Sequence, residues 1–67
     1  MDEELHSLTR RLIELRIEHA DLDAMIDRLV EQTPLDELAL QRLKKRRLAL
    51  RDMITRLEAS TAPDDLA

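Results

Sequence analysis

Leucine recurs every three or four residues along most of this chain, which is the spacing of positions a and d in a heptad repeat. With Leu5 at position a, apolar residues fill most a and d positions as far as Leu57. This pattern is typical of helices that pack through one apolar seam. The repeat is crossed once, by Thr33-Pro34, and proline inside a helix costs about 3 kcal/mol or more. The break therefore favours two helices over one.

Two helix start signals divide the chain. Asp2 and the acids after it can cap a first helix, and Thr33 followed by Pro34 resembles an N-cap with proline at the first helical position. Residues 60–65 are small, polar and interrupted by proline. We therefore predict one domain over residues 1–59, followed by a disordered tail over 60–67. Its parts are helix one at about 2–31, a turn at about 32–33 and helix two at about 34–59.

The heptad register continues across Pro34, so one unbroken helix of about 85 Å is an alternative at 1.5 Å per residue. A hairpin pairs a and d residues whose numbers total 69, or 62 after a slip of one heptad. The break lies at the centre of the first pairing, which favours an all-α, antiparallel coiled-coil hairpin. The predicted seam consists of Leu8, Leu12, Leu15, His19, Leu22, Ile26, Leu29, Leu40, Leu43, Arg47, Leu50, Ile54 and Leu57.

The charges support the same fold. Eight acids lie between Glu14 and Glu37, and seven of the eleven basic residues lie between Arg42 and Arg56. Antiparallel helices would place these stretches side by side, although each exposed ion pair contributes only about 0 to 1 kcal/mol. The expected contacts are Glu18 with Arg46, Arg16 with Glu58, and Asp23 with Lys44 or Arg51.

A second apolar stripe follows helix one on the side away from the seam. Ile13, Ile17, Ala20 and Ala24 are spaced by four, three and four residues, which places them on one face of a helix. Leu38 and Leu48 also fall outside the seam of helix two. One hairpin cannot bury all of these side chains, and an exposed apolar patch often marks an interface. We predict that these six residues form an oligomer or partner interface, with a dimeric four-helix bundle or higher oligomer preferred.

His19 and Arg47 interrupt the predicted seam with polar side chains. Polar residues at core positions often fix register and oligomeric state at some loss of stability. The alkyl part of Arg47 could pack in the seam while its guanidinium group reaches an acid such as Asp23. Because imidazole changes charge near neutral pH, His19 could instead serve as a switch. No His or Cys stands three or four residues from His19, so no metal site is predicted.

A basic run on helix two is the one feature that suggests a polyanion. Four consecutive basic residues spread around a helix, so only part of the run can face nucleic acid or an anionic membrane surface. Acids are also plentiful nearby, and the net charge is -4. Polyanion binding is therefore the alternative function, with contacts from Arg42, Lys44, Lys45, Arg46 and Arg51.

The composition excludes many other sites. The chain has no Cys, Gly, Trp, Tyr or Phe, so disulfides, thiolate metal sites, glycine-rich phosphate loops and aromatic stacking platforms are excluded. A thin two-helix unit offers little pocket in which catalytic groups could be activated. We expect no enzyme activity, cofactor or small-molecule substrate. No signal peptide or span-length apolar run is present, so a cytoplasmic protein is expected.

The chain also resembles the YdcH-like family of small bacterial proteins, a domain of unknown function. The resemblance covers about residues 5–58 and includes Leu43-Lys44-Lys45 and Leu50-Arg51-Asp52, where Arg51 replaces an expected lysine. It implies a short, cytoplasmic helical hairpin that oligomerises and has no established catalytic residues. It also implies that His19, Lys44, Lys45 and Asp52 belong to a family pattern.

Overall fold

Two long helices make up the fold. The computed structural model describes residues 2–61, with side chains described for residues 6–60. Helix α1 spans Asp2–Leu29 and helix α2 spans Glu37–Thr61, and no strand occurs among the described residues. The helices pack against each other, and the longest dimension is 51 Å. The alternative of one unbroken helix of about 85 Å is therefore wrong.

The connection between the helices is longer than the sequence indicates. It covers residues 30–36, whereas a turn at 32–33 was expected. Asp36 is the N-cap of α2: its carboxylate accepts a hydrogen bond from the Ala39 backbone N–H at 3.0 Å, and its carbonyl accepts one from Leu40 at 3.0 Å. The predicted cap at Thr33 and the helix start at Pro34 are corrected accordingly. Aspartate is generally a better N-cap than threonine, which favours the later start.

The end of α1 is also earlier than expected. Helix α1 ends at Leu29, and the predicted end at residue 31 falls in the connection. There the backbone N–H groups of Glu31 and Gln32 donate to carbonyls only three residues back, at 3.2 and 3.1 Å. This tightening is common where a helix ends and its last carbonyls lack helical partners. Arg28 lies in the last turn, where a positive charge is favourable.

Three ion pairs cross between the helices and establish their antiparallel arrangement. Arg16 binds Glu58, Arg46 binds Glu18 at 2.7 Å, and Arg47 binds Asp23 at 2.9 Å. Residues early in α1 thus meet residues late in α2. The residue numbers in these three pairs add up to 74, 64 and 70. Their mean lies close to 69, the total for the predicted seam pairing. The structure adopts this register and not the one slipped by a heptad.

The core is small and lies unevenly on the two helices. Leu12, Leu15, Leu22 and Ile26 of α1 are buried, whereas Leu50 is the only apolar residue of α2 that is buried to the same degree among the described side chains. Leu50 packs with Leu15 and Leu22 and is fully buried. The other seam residues are half-buried: Leu8, His19, Leu29, Leu40, Leu43, Arg47, Ile54 and Leu57.

At its far end, α2 continues to Thr61 instead of stopping at residue 59. Ser60 contributes a hydrogen bond from its hydroxyl to the Arg56 carbonyl, at 3.2 Å, within this last turn. The rest of the predicted disordered tail, residues 62–67, lies outside the described residues.

The cap assignment predicts unequal effects of two substitutions in the connection. Asp36→Ala should lower the free energy of unfolding by about 1 kcal/mol, because it removes the acceptor of the Ala39 N–H. Thr33→Ala is the matched control and should change it by less than about 0.5 kcal/mol. Urea unfolding at one fixed protein concentration measures both. A larger loss for Thr33→Ala than for Asp36→Ala would contradict the observed helix start.

Candidate interaction surfaces

A polar layer crosses the middle of the seam. Asp23 lies at its centre, and one carboxylate oxygen accepts from Arg47 Nη1 at 2.9 Å. The other oxygen is 3.4 Å from His19 Nδ1, one turn back on the same helix. The side chains of His19 and Arg47 are only 20% and 29% exposed, whereas that of Asp23 is 45% exposed. Asp23 therefore holds both polar seam residues from the solvent side.

Most of the ion pairs predicted between the two helices are present in the structure. Glu18–Arg46 and Arg16–Glu58 form as predicted, and Arg47 reaches Asp23 as proposed for its guanidinium group. The prediction that Asp23 binds Lys44 or Arg51 is wrong. Arg47 lies in the seam beside Asp23 and binds its carboxylate. Without this contact the half-buried guanidinium group of Arg47 would have no partner for its charge.

The second apolar stripe of α1, which we call the outer stripe, is open to solvent. It consists of Ile13, Ile17, Ala20 and Ala24, all exposed, with Ile13 at 52% and Ile17 at 58%. The stripe lies on the side of α1 away from α2, because the seam residues between the two helices occupy the opposite face. The hairpin alone therefore leaves a continuous apolar surface on one of its long edges.

Leu38 and Leu48 do not join the outer stripe. They are 60% and 66% exposed and lie on the face of α2 that points away from α1, which is the opposite edge of the hairpin. Lys45 and Asp52 lie on the same face of α2 near Leu48. These charged side chains interrupt the apolar surface of this edge, which is therefore less continuous than the outer stripe. The six residues predicted as one interface thus form two separate surfaces, of which the α1 surface is the more continuous.

Shallow grooves on one flat side of the hairpin were not predicted. One, of about 380 Å³, is lined by Met25, Leu29, Ala39 and Leu43, and a smaller one of about 270 Å³ lies beside Met53. The Glu18–Arg46 ion pair lies between them. Met25 and Met53 both occupy heptad position g, so the repeat already placed them on this side, but leucine spacing alone does not indicate a groove.

The basic run of α2 is divided among different sides of the hairpin. Arg46 and Arg47 are engaged by carboxylates of α1. Lys44 lies on the side of the hairpin that carries the Arg16–Glu58 pair, whereas Lys45 lies on the outer face, in an open concavity of about 590 Å³ with Arg51 and Asp52. Arg42, the last predicted contact, is exposed on the outer part of α2. These residues do not form one continuous basic surface.

The comparison with known proteins assigns a family. Residues 12–66 match the family described as "protein of unknown function (DUF465)". The match covers most of the chain, with α1 from residue 12 onward and all of α2. The chain belongs to this family. The YdcH-like resemblance is consistent with it, and no curated protein or solved structure matches the chain.

The family description names no activity, so candidate sites follow only from the arrangement of the side chains. Among the described residues, no group of three or more His, Asp or Glu side chains is placed to hold a metal ion. No described helix is both long and apolar enough to cross a membrane. The described side chains offer four candidate surfaces: the polar layer, the grooves and the two exposed edges.

The polar layer predicts a gain of stability when its seam charge is removed. Arg47→Leu should raise the free energy of unfolding by about 1 kcal/mol, because a half-buried leucine replaces a cation whose ion pair is partly exposed. Arg51→Leu, at an exposed site, is the control and should stay within about 0.5 kcal/mol of the parent. Chemical unfolding monitored by circular dichroism measures both. A loss of more than about 1 kcal/mol for Arg47→Leu would show that the contact with Asp23 outweighs apolar burial.

Proposed function

We propose that this chain is a small helical module for self-association or protein interaction, without catalytic activity, and that the outer stripe of α1 is its contact surface. The observation that carries the proposal is the exposure of Ile13 and Ile17 beside two exposed alanines on one helix face. Removing apolar surface of this kind from water lowers the free energy by about 25 cal/mol for each Å².

The size of the core supports the same function. Five apolar side chains are buried among the described residues, and four of them belong to α1. A chain of this length with one thin seam buries too little surface to be comfortably stable alone. Association through α1 would add a second buried face to the helix that already carries most of the core. Binding and stability would then be linked, since a partner that binds only the folded hairpin stabilises it.

The distribution of charge favours a protein partner over a polyanion. The basic residues of α2 are divided between ion pairs and different sides of the hairpin, and acids lie among them. A nucleic-acid surface generally requires a continuous basic patch. The apolar outer stripe has no such conflict, because its four members share one face and one chemistry.

The proposal predicts that a charge in the outer stripe abolishes self-association. The parent chain should sediment as a dimer or larger species at tens of micromolar, and Ile17→Glu should sediment as a monomer, because the introduced carboxylate would be buried without a partner. Leu48→Glu is the matched control: it places the same charge at a similarly exposed leucine on the other edge of the hairpin. It should leave the mass of the assembly unchanged.

Sedimentation equilibrium over a hundredfold range of concentration, with circular dichroism to check helix content, separates the outcomes. A parent chain that is folded and strictly monomeric throughout would refute self-association. Loss of association in Leu48→Glu but not in Ile17→Glu would place the contact on α2 and refute the role of the outer stripe.

A further inference from the structure

The outer stripe continues into a charge at each end. Arg10 precedes Ile13 by three residues, and Asp27 follows Ala24 by three. Both are exposed, and among the described residues neither has an ion-pair partner. The extended stripe, Arg10, Ile13, Ile17, Ala20, Ala24 and Asp27, therefore has spacings of three, four, three, four and three. The series of spacings is the same from either end, although the stripe ends in an arginine on one side and an aspartate on the other.

An antiparallel second copy matches this stripe in both size and charge. With the centre between Ile17 and Ala20, each isoleucine of one copy lies over an alanine of the other. Every apolar layer then holds one large and one small side chain, so the two helices can remain at an even distance. The same alignment places Arg10 of each copy beside Asp27 of the other. The contact closes with two opposite-charge pairs, one at each end.

A parallel copy matches the stripe poorly. Isoleucine would then lie against isoleucine and alanine against alanine, so the two layers at one end would be crowded and the two at the other end hollow, which lowers packing quality. Arg10 would approach Arg10, and Asp27 would approach Asp27. Like charges in contact are destabilising by about as much as opposite charges stabilise. The end charges and the volumes of the layers thus favour the same orientation.

The residues beside the stripe are close to balanced in the antiparallel arrangement. Glu14 of each copy would lie near Arg28 of the other, which adds two attractive pairs. At the centre, Asp21 would face its own copy, as would Arg16, which already binds Glu58 within its hairpin. The flanks therefore neither favour nor forbid the contact strongly, and the layers of the stripe decide the orientation.

From these observations we infer that the partner on the outer stripe is a second copy of this chain, docked antiparallel along α1. Arg10 and Asp27 form the pairs that set its direction and alignment. The inference rests on the proposed function, since it specifies the partner of the same surface. The resulting assembly has four helices, with the two α1 helices in the middle and each α2 helix on the outside.

Charge reversal at the two ends tests the alignment. Arg10→Glu alone and Asp27→Lys alone should each weaken the dimer about tenfold, because each replaces two attractive pairs by two repulsive ones. An equimolar mixture of the two variants should regain the parent affinity, since the mixed dimer has the parent pair at one end and the charge-reversed pair at the other, and both attract. The double variant Arg10→Glu/Asp27→Lys should also associate like the parent. Sedimentation equilibrium at low ionic strength measures all four samples.

Cysteine cross-linking tests the direction independently, and the chain has no cysteine of its own. A mixture of Ile13→Cys and Ala24→Cys should form a disulfide-linked dimer under mild oxidation, because these positions face each other across the antiparallel contact. Ile13→Cys alone should not, since its two copies would be separated by about 16 Å along the helices. In a parallel dimer the single variant would cross-link and the mixture would give no preference for the mixed product.

The outcomes separate the inference from the proposed function. A dimer that Ile17→Glu dissociates, but whose charge-reversed variants are not rescued by mixing, would overturn the antiparallel alignment and leave self-association through the outer stripe intact. Efficient cross-linking of Ile13→Cys with itself would do the same. A parent chain that remains monomeric would overturn both. Rescue on mixing together with selective cross-linking at 13 and 24 would establish the alignment.

Discussion

The hairpin depends on the packing of Leu50 between Leu15 and Leu22. Leu50 is the single fully buried side chain that α2 contributes among the described residues, and the other apolar seam residues of α2 are only half-buried. Truncating a buried leucine to alanine typically costs about 2 to 5 kcal/mol. In a chain with so few buried residues this is a large part of the net stability, because small domains are stable by only a few kcal/mol. The rest of the structure is organised around that contact.

This dependence explains why α1 differs from α2. Four of the five buried residues lie on α1, and α1 also carries the outer stripe. Helix α1 is thus apolar on two opposite faces, which is typical of a helix enclosed between neighbours. Helix α2 is apolar mainly on one face and carries most of the basic charge on the others. This difference between the helices is what the proposed dimer requires, since it would place α1 inside and α2 outside.

The repeat predicts the fold well because seam burial is a property of spacing. The positions a and d, taken from leucine spacing alone, all lie in the buried or half-buried class where the helices have described side chains, from Leu8 to Leu57. The helix ends were less predictable, since Thr33 and Asp36 are both acceptable caps and the choice depends on which loop lets the two seams meet. The partner of Asp23 could not be fixed either. It depends on the direction in which the long Arg47 side chain leaves the seam, and heptad position does not determine that direction.

The register is explained by charges more than by leucines. Apolar residues at a and d would meet in the observed pairing or in one slipped by a heptad, because leucine occupies most layers in both. In the observed register Glu18 meets Arg46 and Arg16 meets Glu58.

After a slip of one heptad, the positions that now form these ion pairs would hold like charges. Arg46 would lie beside Arg11, and Arg51 would lie beside Arg16. Arg47 would also move about 10 Å from Asp23, given the rise of 1.5 Å per residue, and its seam position would lose its counter-charge. Each exposed pair is worth at most about 1 kcal/mol. Exchanging several attractions for repulsions at once is nevertheless enough to select one register among apolar seams of similar quality. The ion pairs of this small hairpin therefore specify its alignment, whereas its leucines supply its stability.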